Sequence, residues 1–354
     1  MKKSNVCILF GGMSPEHEVS LRSAESVLNH IDQEKYNVFP VGITKEGKWI
    51  LFAGTDYGCL PAGTWMDHAG NCPAAISPVR GQGLLCFRED GVTAQSLDVV
   101  FPVLHGENGE DGAMQGLLQL AGIPYVGPHV SASAVSMDKT LTKLTCDEAG
   151  IPQAAWELVR DWETKENMEN TLLRLEGRFS YPMFVKPAGT GSSVGVSKAA
   201  GREALRKALL EAARFDSKIL VEEFISGREI EVAVLGNDHP MASVCGEIDS
   251  GAEFYDYEAK YITSTSRAYV PARIPEETAQ QVQDAAIRVY KAIGCQGLSR
   301  VDFFVTFQEN RVVFNEINTL PGFTSISMYP KLFGATGIPY GQLIDRLLQL
   351  AQEA

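Results

Sequence analysis

The feature that most limits what this chain can fold into is the alternation of strand-like and helix-like pieces through its first third, the pattern of an open α/β sheet. Val6 to Phe10 is an apolar run of strand length, and Gly11-Gly12 makes the turn that follows it. Ser14-Pro15-Glu16 then places a cap-type residue, a proline and an acid in the order that opens a helix. Val99 to Leu104 is a second buried strand. It feeds the loop Gly106-Glu107-Asn108-Gly109-Glu110-Asp111-Gly112 and a helix whose Met114, Leu117, Leu118 and Ala121 share one face. Gly122 closes that helix, and Pro124, Gly127 and Pro128 mark a domain boundary. From about His129 to Asp216, two charged helical patterns flank a hairpin centred on Met183 to Val196. The last third reads as alternating strands and a closing helix, Tyr340 to Ala351. At 354 residues the chain exceeds what one hydrophobic core supports, so two or three domains are expected.

Charge and cysteines narrow the function. With 31 basic against 44 acidic residues the formal charge is -13, which argues against a nucleic acid as main partner. The 7 cysteines have no C-x-x-C pair and no zinc spacing, which fits reduced thiols in a cytosol. The apolar run after Lys2 and Lys3 ends at Gly11, too soon for a signal peptide, and no stretch is long enough to span a membrane. Gly42-Ile43-Thr44-Lys45-Glu46-Gly47-Lys48 imitates a Walker A loop, but Trp49 stands where a hydroxyl must bind magnesium. Strand-like flanks make the segment a hairpin turn. Gly11-Gly12 lacks the third glycine of a dinucleotide fingerprint.

Three segments carry chemistry. In Phe184 to Val196 a strand lysine, Lys186, is followed by a run of glycines and hydroxyls whose N–H groups can close on an anion; a flexible hairpin is the lesser alternative. In Lys218 to Ile225 an apolar strand carries Glu222 and Glu223. One of the two must turn from solvent, at a cost unless it finds donors such as an adenine amino group and ribose hydroxyls. An edge strand with a solvated acidic face reads the same segment as well. The strongest signal is a pair of strands, Arg300 to Val305 and Val312 to Asn318. Glu316 and Asn318 share a face there, and Asp302 opposite them would bring hard oxygens together for Mg²⁺.

These residues resemble the D-alanine–D-alanine ligases of the ATP-grasp superfamily. The likeness runs through nearly the whole chain in segments of the family's order: Phe10-Gly11-Gly12 with Ser14 to Leu21, Leu104 to Gly116 (LHGENGEDGAMQG), Ser136 to Lys139, Val185 to Gly195, Phe254 to Tyr261 (FYDYEAKY) and Glu316 to Ser325 (EINTLPGFTS). It implies an α/β ATP-grasp fold of three domains, set here at 1–128, 129–223 and 224–354, with ATP between the last two. It also implies a cytoplasmic homodimer that supplies peptidoglycan synthesis and touches neither nucleic acid nor membrane. Lys139, Lys186 and Lys260 match the phosphate-binding lysines, with Ser193 in the glycine-rich loop. Glu222, Glu223 and Glu229 match the adenine and ribose acceptors, and Phe224 and Ile225 the apolar walls. Asp302, Glu316 and Asn318 match the ligands of two magnesium ions, for which manganese could substitute.

For the amino acids, Glu16 matches the partner of the first D-alanine's ammonium, with His105 beside it, and Ser192 and Tyr261 tie Glu16 to the closing loop. Arg300 and the N–H of Gly322 match the oxyanion site, and Ser327 and Met328 the grip on the second carboxylate. His17 and Ile326 stand where several members carry arginine and histidine. A D-alanine–D-serine ligase, and another ATP-grasp ligase joining a different carboxylate and amine, remain alternatives. Gly246 before Glu247-Ile248, and Tyr255 in place of phenylalanine, favour D-alanine as second substrate.

Overall fold

The structure, a computed structural model, describes residues 3–192, 194–249 and 267–353. Its first sheet is built on β1 (Ser4–Gly11), whose Val6 to Phe10 are buried on both faces as suits a central parallel strand. β2 (Tyr36–Ile43) and β7 (Val99–Leu104) lie parallel on either side of it. The antiparallel strands β3 (Trp49–Leu51), β4 (Cys72–Ile76), β5 (Leu84–Arg88) and β6 (Gly91–Gln95) extend the β2 edge. β2 and β3 pair as a hairpin with Ile43 opposite Trp49, so the Walker-like segment is a turn. Helix α1 (His17–His30) covers one face through Leu21, Ala24, Val27 and Leu28, and α2 (Ala113–Ala121) the other through Met114 and Leu118. Between β1 and α1, Gly11 has φ +88°, and a Cβ there would meet the Ile43 carbonyl oxygen at 2.1 Å, so only glycine makes this turn.

The middle of the chain holds more helix than its charge pattern suggests. α3 (Val130–Met137) and α4 (Lys139–Glu148) precede β8 (Trp156–Arg160), and α5 (Asp161–Glu166) and α6 (Met168–Arg178) follow it. Then come β9 (Met183–Pro187), β10 (Ser197–Ala199), α7 (Arg202–Ala212) and β11 (Lys218–Glu223). The strands form an antiparallel sheet in the order β10-β9-β11-β8. Val185, Ile219 and Val221 turn to Leu172, Leu175, Leu205 and Leu209 of α6 and α7. The alternation of strand side chains therefore sends Lys186 and Glu222 to the opposite face.

The third sheet repeats this division. Its described strands are β12 (Gly227–Leu235), β13 (Met241–Ala242), β14 (Gly246–Asp249), β15 (Arg267–Tyr269), β16 (Leu298–Thr306) and β17 (Val312–Asn318). Helix α8 (Glu276–Ile293), absent from the strand-rich reading of this region, packs Val282, Ala286, Val289 and Tyr290 on Val301, Phe303 and Val305. Its buried stripe, Thr278, Val282, Ala286, Val289, Tyr290 and Ile293, has helical spacing. The other face carries Arg300 and Asp302 beside Glu231, Glu316 and Asn318. Finally α9 (Met328–Ala335) and α10 (Tyr340–Glu353) return to the first sheet, where Tyr329, Leu343 and Leu347 share a core with Val6, Ile8 and Phe101. Among the described residues no helix is long and apolar enough to cross a membrane.

Candidate functional site

The polar faces of the second and third sheets meet across a cleft. Lys186 on β9 donates to Asn315 Oδ1 of β17 at 3.3 Å, a contact that crosses it. Asn315 is available because the pairing of β16 and β17 shifts at this point: Asp302 pairs with Glu316, but Phe303 pairs with Phe314. Lys186 also pairs with Glu222 of β11 at 2.6 Å, and Glu222 takes a second ammonium, that of Lys143, on its other oxygen. Burial alone would raise the Glu222 carboxyl, but Lys143 and Lys186 hold it down to about 2. Of the adjacent acids, Glu222 is thus the one turned inward. Its donors are two ammoniums, where the sequence pointed to adenine and ribose. Glu223 accepts the N–H of Ala155 at 2.8 Å. Phe184 and Phe224 stack at 6.0 Å, with Lys198 over the Phe224 ring, and Ile225 follows at the entrance to β12. Glu229 lies on β12 opposite Phe304.

The glycine-rich loop after β9 is held from its N-terminal side. Asp138 caps α4 by accepting from the N–H groups of Thr140 and Leu141. Lys139, the first residue of that helix, donates through Nζ to Thr190 O at 2.6 Å and through its backbone to Ala188 O at 3.0 Å. At the tip Ser192, at φ +49°, donates to Glu16 Oε1 at the start of α1. Gly191 allows this approach, since a Cβ there would lie 3.0 Å from Glu16 Oε2.

Across the cleft, Arg300 donates to both oxygens of Asp302 at 2.8 and 2.7 Å and pairs with Glu231 at 3.3 Å. Burial opposes its charge, yet Asp302 and Glu231 hold the guanidinium firmly protonated. Asn318 Nδ2 reaches Asp302 Oδ2 at 3.0 Å, and Glu316 is the cross-strand partner of Asp302. A half-turn of the Asn318 amide would offer its oxygen. The donor set is then two carboxylates and one amide, which suits Mg²⁺ that takes its remaining ligands from phosphates and water.

One loop from each end of the chain completes the site. His105 donates from Nδ1 to Leu320 O at 2.9 Å, and its Nε2 lies 3.2 Å from Ser23 Oγ, which accepts the N–H of Phe323. Burial lowers the His105 pKa, leaving the neutral ring that this pattern needs. Glu110 accepts the N–H groups of Gly106 and Leu320, at 2.8 and 3.0 Å. Burial, with Glu16 adding to it, pushes the Glu110 carboxyl up to about 8. Residues 319–324 are therefore clamped to the first sheet. Beyond them Ser327 Oγ accepts the N–H of Thr324 at 3.0 Å, and a Cβ on Gly322 would stand 2.9 Å from that oxygen. Met328, buried, opens α9.

Glu16, Ser192, Lys139 and the glycine-rich loop come together, as do Lys186 with Glu222 and Arg300 with Asp302 and Asn318. Ser193, Lys260 and Tyr261 lie outside the described residues. The sequence reading passed over Lys143, Glu110, Ser23 and Asn315. Only Lys143 had a signal, its place one helical turn after Lys139.

Residues 5–128 match the family model described as D-ala D-ala ligase N-terminus, and residues 145–349 match D-ala D-ala ligase C-terminus. The chain belongs to the D-alanine–D-alanine ligase family. A family member from Caldicellulosiruptor bescii, named D-alanine–D-alanine ligase, is 51% identical over 100% of this chain and 96% of that protein. The ligase of the same name from Acetivibrio thermocellus is 49% identical over 99% and 96%. Among solved structures, the VanG D-Ala:D-Ser ligase from Enterococcus faecalis superposes with a TM-score of 0.90 at 38% identity, covering 99% of this chain and 100% of its own. The D-alanine-D-alanine ligase from Coxiella burnetii gives 0.84 at 38%, covering 99% and 96%. These likenesses carry the ATP-grasp fold with them.

Proposed function

We propose that this chain ligates two D-alanines to D-alanyl-D-alanine for peptidoglycan synthesis, at the expense of ATP and through a D-alanyl phosphate. The observation that carries the reading is the full-length identity of about half with relatives bearing that name. The same likeness supports a homodimer in the cytoplasm, and the placement of one sheet in each part supports the division at 1–128, 129–223 and 224–354.

A carboxylate is a poor electrophile. It becomes a good one when the γ-phosphoryl group moves onto one of its oxygens, releasing ADP. The second amine then attacks the carbonyl carbon, an oxyanion forms, and phosphate leaves with the oxygen it had joined. Lys139, which donates to the glycine-rich loop, and Lys186, beside Asn315, would offset the triphosphate charge, and Lys260 is assigned with them by sequence alone. The faces of Phe184, Phe224 and Ile225 suit an adenine, with Glu223 and Glu229 near the ribose end and Ser193 on the phosphate loop. Asp302, Glu316 and Asn318 would hold Mg²⁺ or Mn²⁺, two ions by family likeness, which neutralise phosphate charge when bound. Glu16, oriented by Ser192 and by sequence assignment Tyr261, binds the first ammonium, with His105 beneath it. The bonds of Arg300 to Asp302 and Glu231 run through Nε and Nη2. That anchoring supports assigning Arg300 to the oxyanion, together with the N–H of Gly322, and Ser327 and the N-terminus of α9 at Met328 are assigned the second carboxylate by family likeness.

The likeness to a D-Ala:D-Ser ligase favours D-serine as second substrate. The residues expected at the second pocket support D-alanine: Gly246 offers the serine hydroxyl no side-chain partner, and Met328 Cε and Leu332 Cδ2 lie 2.3 and 2.8 Å from where a Gly246 Cβ would stand. An unpaired buried hydroxyl costs about 1–3 kcal/mol, roughly ten- to a hundredfold in preference. Offered D-alanine and D-serine at equal concentration with ATP and Mg²⁺, the enzyme should form mostly D-alanyl-D-alanine. A majority of D-alanyl-D-serine would reverse the assignment, and no dipeptide at all would remove it.

A further inference from the structure

The functional reading gives no role to Lys143, yet its side chain is only 2% exposed and its ammonium lies on Glu222. Lysines are almost never fully buried unless paired, and a buried ion pair adds little stability over an apolar pair of the same volume. A role other than stability is the natural explanation. Glu222 Oε1 faces Lys143 and Glu222 Oε2 faces Lys186, so the three side chains sum to one positive charge. Of the three side chains Lys186 is the most exposed, at 15% against 2% and 5% for the others. Glu229 and Glu316 act on Lys186 as well. In these acidic surroundings its charge reaches a ligand only if Glu222 is neutralised from elsewhere.

We propose that Lys143 is a positioning residue for nucleotide binding: its buried ammonium neutralises Glu222 and leaves the charge of Lys186 for the triphosphate. The geometry that brings it there is local. Lys143 follows Lys139 by one turn of α4, so the helix face that sets Lys139 on the glycine-rich loop sets Lys143 against β11. Without Lys143, Glu222 and Lys186 would cancel one another and leave no net positive charge for the triphosphate. Asn315 holds the Lys186 ammonium from the other side at 3.3 Å and carries no charge to replace what is lost.

The inference rests on the nucleotide site proposed above, and the test separates the two. Binding of MgATP to the intact protein is measured by calorimetry without D-alanine, alongside the KM for D-alanine and the melting temperature. Absence of MgATP binding by the wild type would sink the functional reading itself and this proposal with it. With the wild type binding, Lys143→Met should weaken MgATP roughly tenfold or more while the D-alanine KM moves less than about threefold. Lys143→Met/Glu222→Gln, which restores the single positive charge, should recover MgATP affinity to within about threefold of the wild type. A purely structural ion pair would show this single-against-double pattern in the melting temperature alone, with MgATP affinity unmoved in every folded variant. Should Lys143→Met not fold, the double variant is compared with Glu222→Gln, which should match it within about fivefold. Unchanged MgATP affinity in Lys143→Met, or no recovery in the double variant, would overturn the proposal.

Discussion

Removing Arg300 should slow the reaction without weakening nucleotide binding. The guanidinium is anchored to Asp302 by two bonds and to Glu231 by a third contact, so it is fixed before any substrate arrives, as an oxyanion donor must be. Loss of one such donor typically costs about 2.7–4 kcal/mol of transition-state stabilisation, or roughly 10²–10³ in kcat. Arg300→Ala also strips the counter-charge from two buried acids, which for such pairs costs about 3–5 kcal/mol of stability. Arg300→Lys separates the effects. It keeps a cation between Asp302 and Glu231, yet an ammonium cannot hold Asp302 by a fork and still present donors to the oxyanion. We expect Arg300→Lys to melt within a few degrees of the wild type, to bind MgATP within about threefold, and to lose roughly a hundredfold in kcat for phosphate release at saturating substrates. A folded Arg300→Lys with kcat within about threefold of the wild type would refute the reasoning.

Ser192→Ala removes the hydroxyl that donates to Glu16 and should raise the D-alanine KM about tenfold, with the ATP KM unchanged in the same initial-rate assay. Glu110 gives a pH signature. Its folded carboxyl, at about 8 against an ordinary 4.5, retains a proton that the unfolded chain releases, so stability must fall as pH rises through that window. Urea unfolding of the wild type relative to Glu110→Gln should show this decline between about pH 4.5 and 8, and parallel curves would contradict it. Gly246→Asp should displace the end of Met328 and raise the KM for the second D-alanine, which a substrate titration would read.

The legible parts of this molecule were those where pattern and chemistry coincide. The buried run Val6 to Phe10, the glycine turn before α1 and the polar face of β16 and β17 each leave an unambiguous trace, because a strand's alternation states which side chains share a face. Helix α8 shows its helical spacing in Val282, Ala286, Val289, Tyr290 and Ile293, but the β-branched and aromatic residues of that stripe also suit strands, and strands surround it on both sides. The surroundings of Glu222 were missed for another reason: sequence shows that a buried carboxylate needs donors, but only the packing of α4 on β11 shows that Lys143 supplies one. The clamp of Ser23, His105 and Glu110 on residues 319–324 joins segments more than two hundred positions apart, and no local pattern announces it.

The path through an acyl phosphate makes one demand on the atoms themselves: an oxygen of the first D-alanine's carboxylate must depart with the phosphate. D-Alanine carrying ¹⁸O in its carboxylate, incubated with the enzyme, ATP and Mg²⁺, allows this to be read by mass spectrometry of phosphate and dipeptide. The account predicts one ¹⁸O in each phosphate released for each D-alanyl-D-alanine formed. Unlabelled phosphate alongside the dipeptide would contradict it.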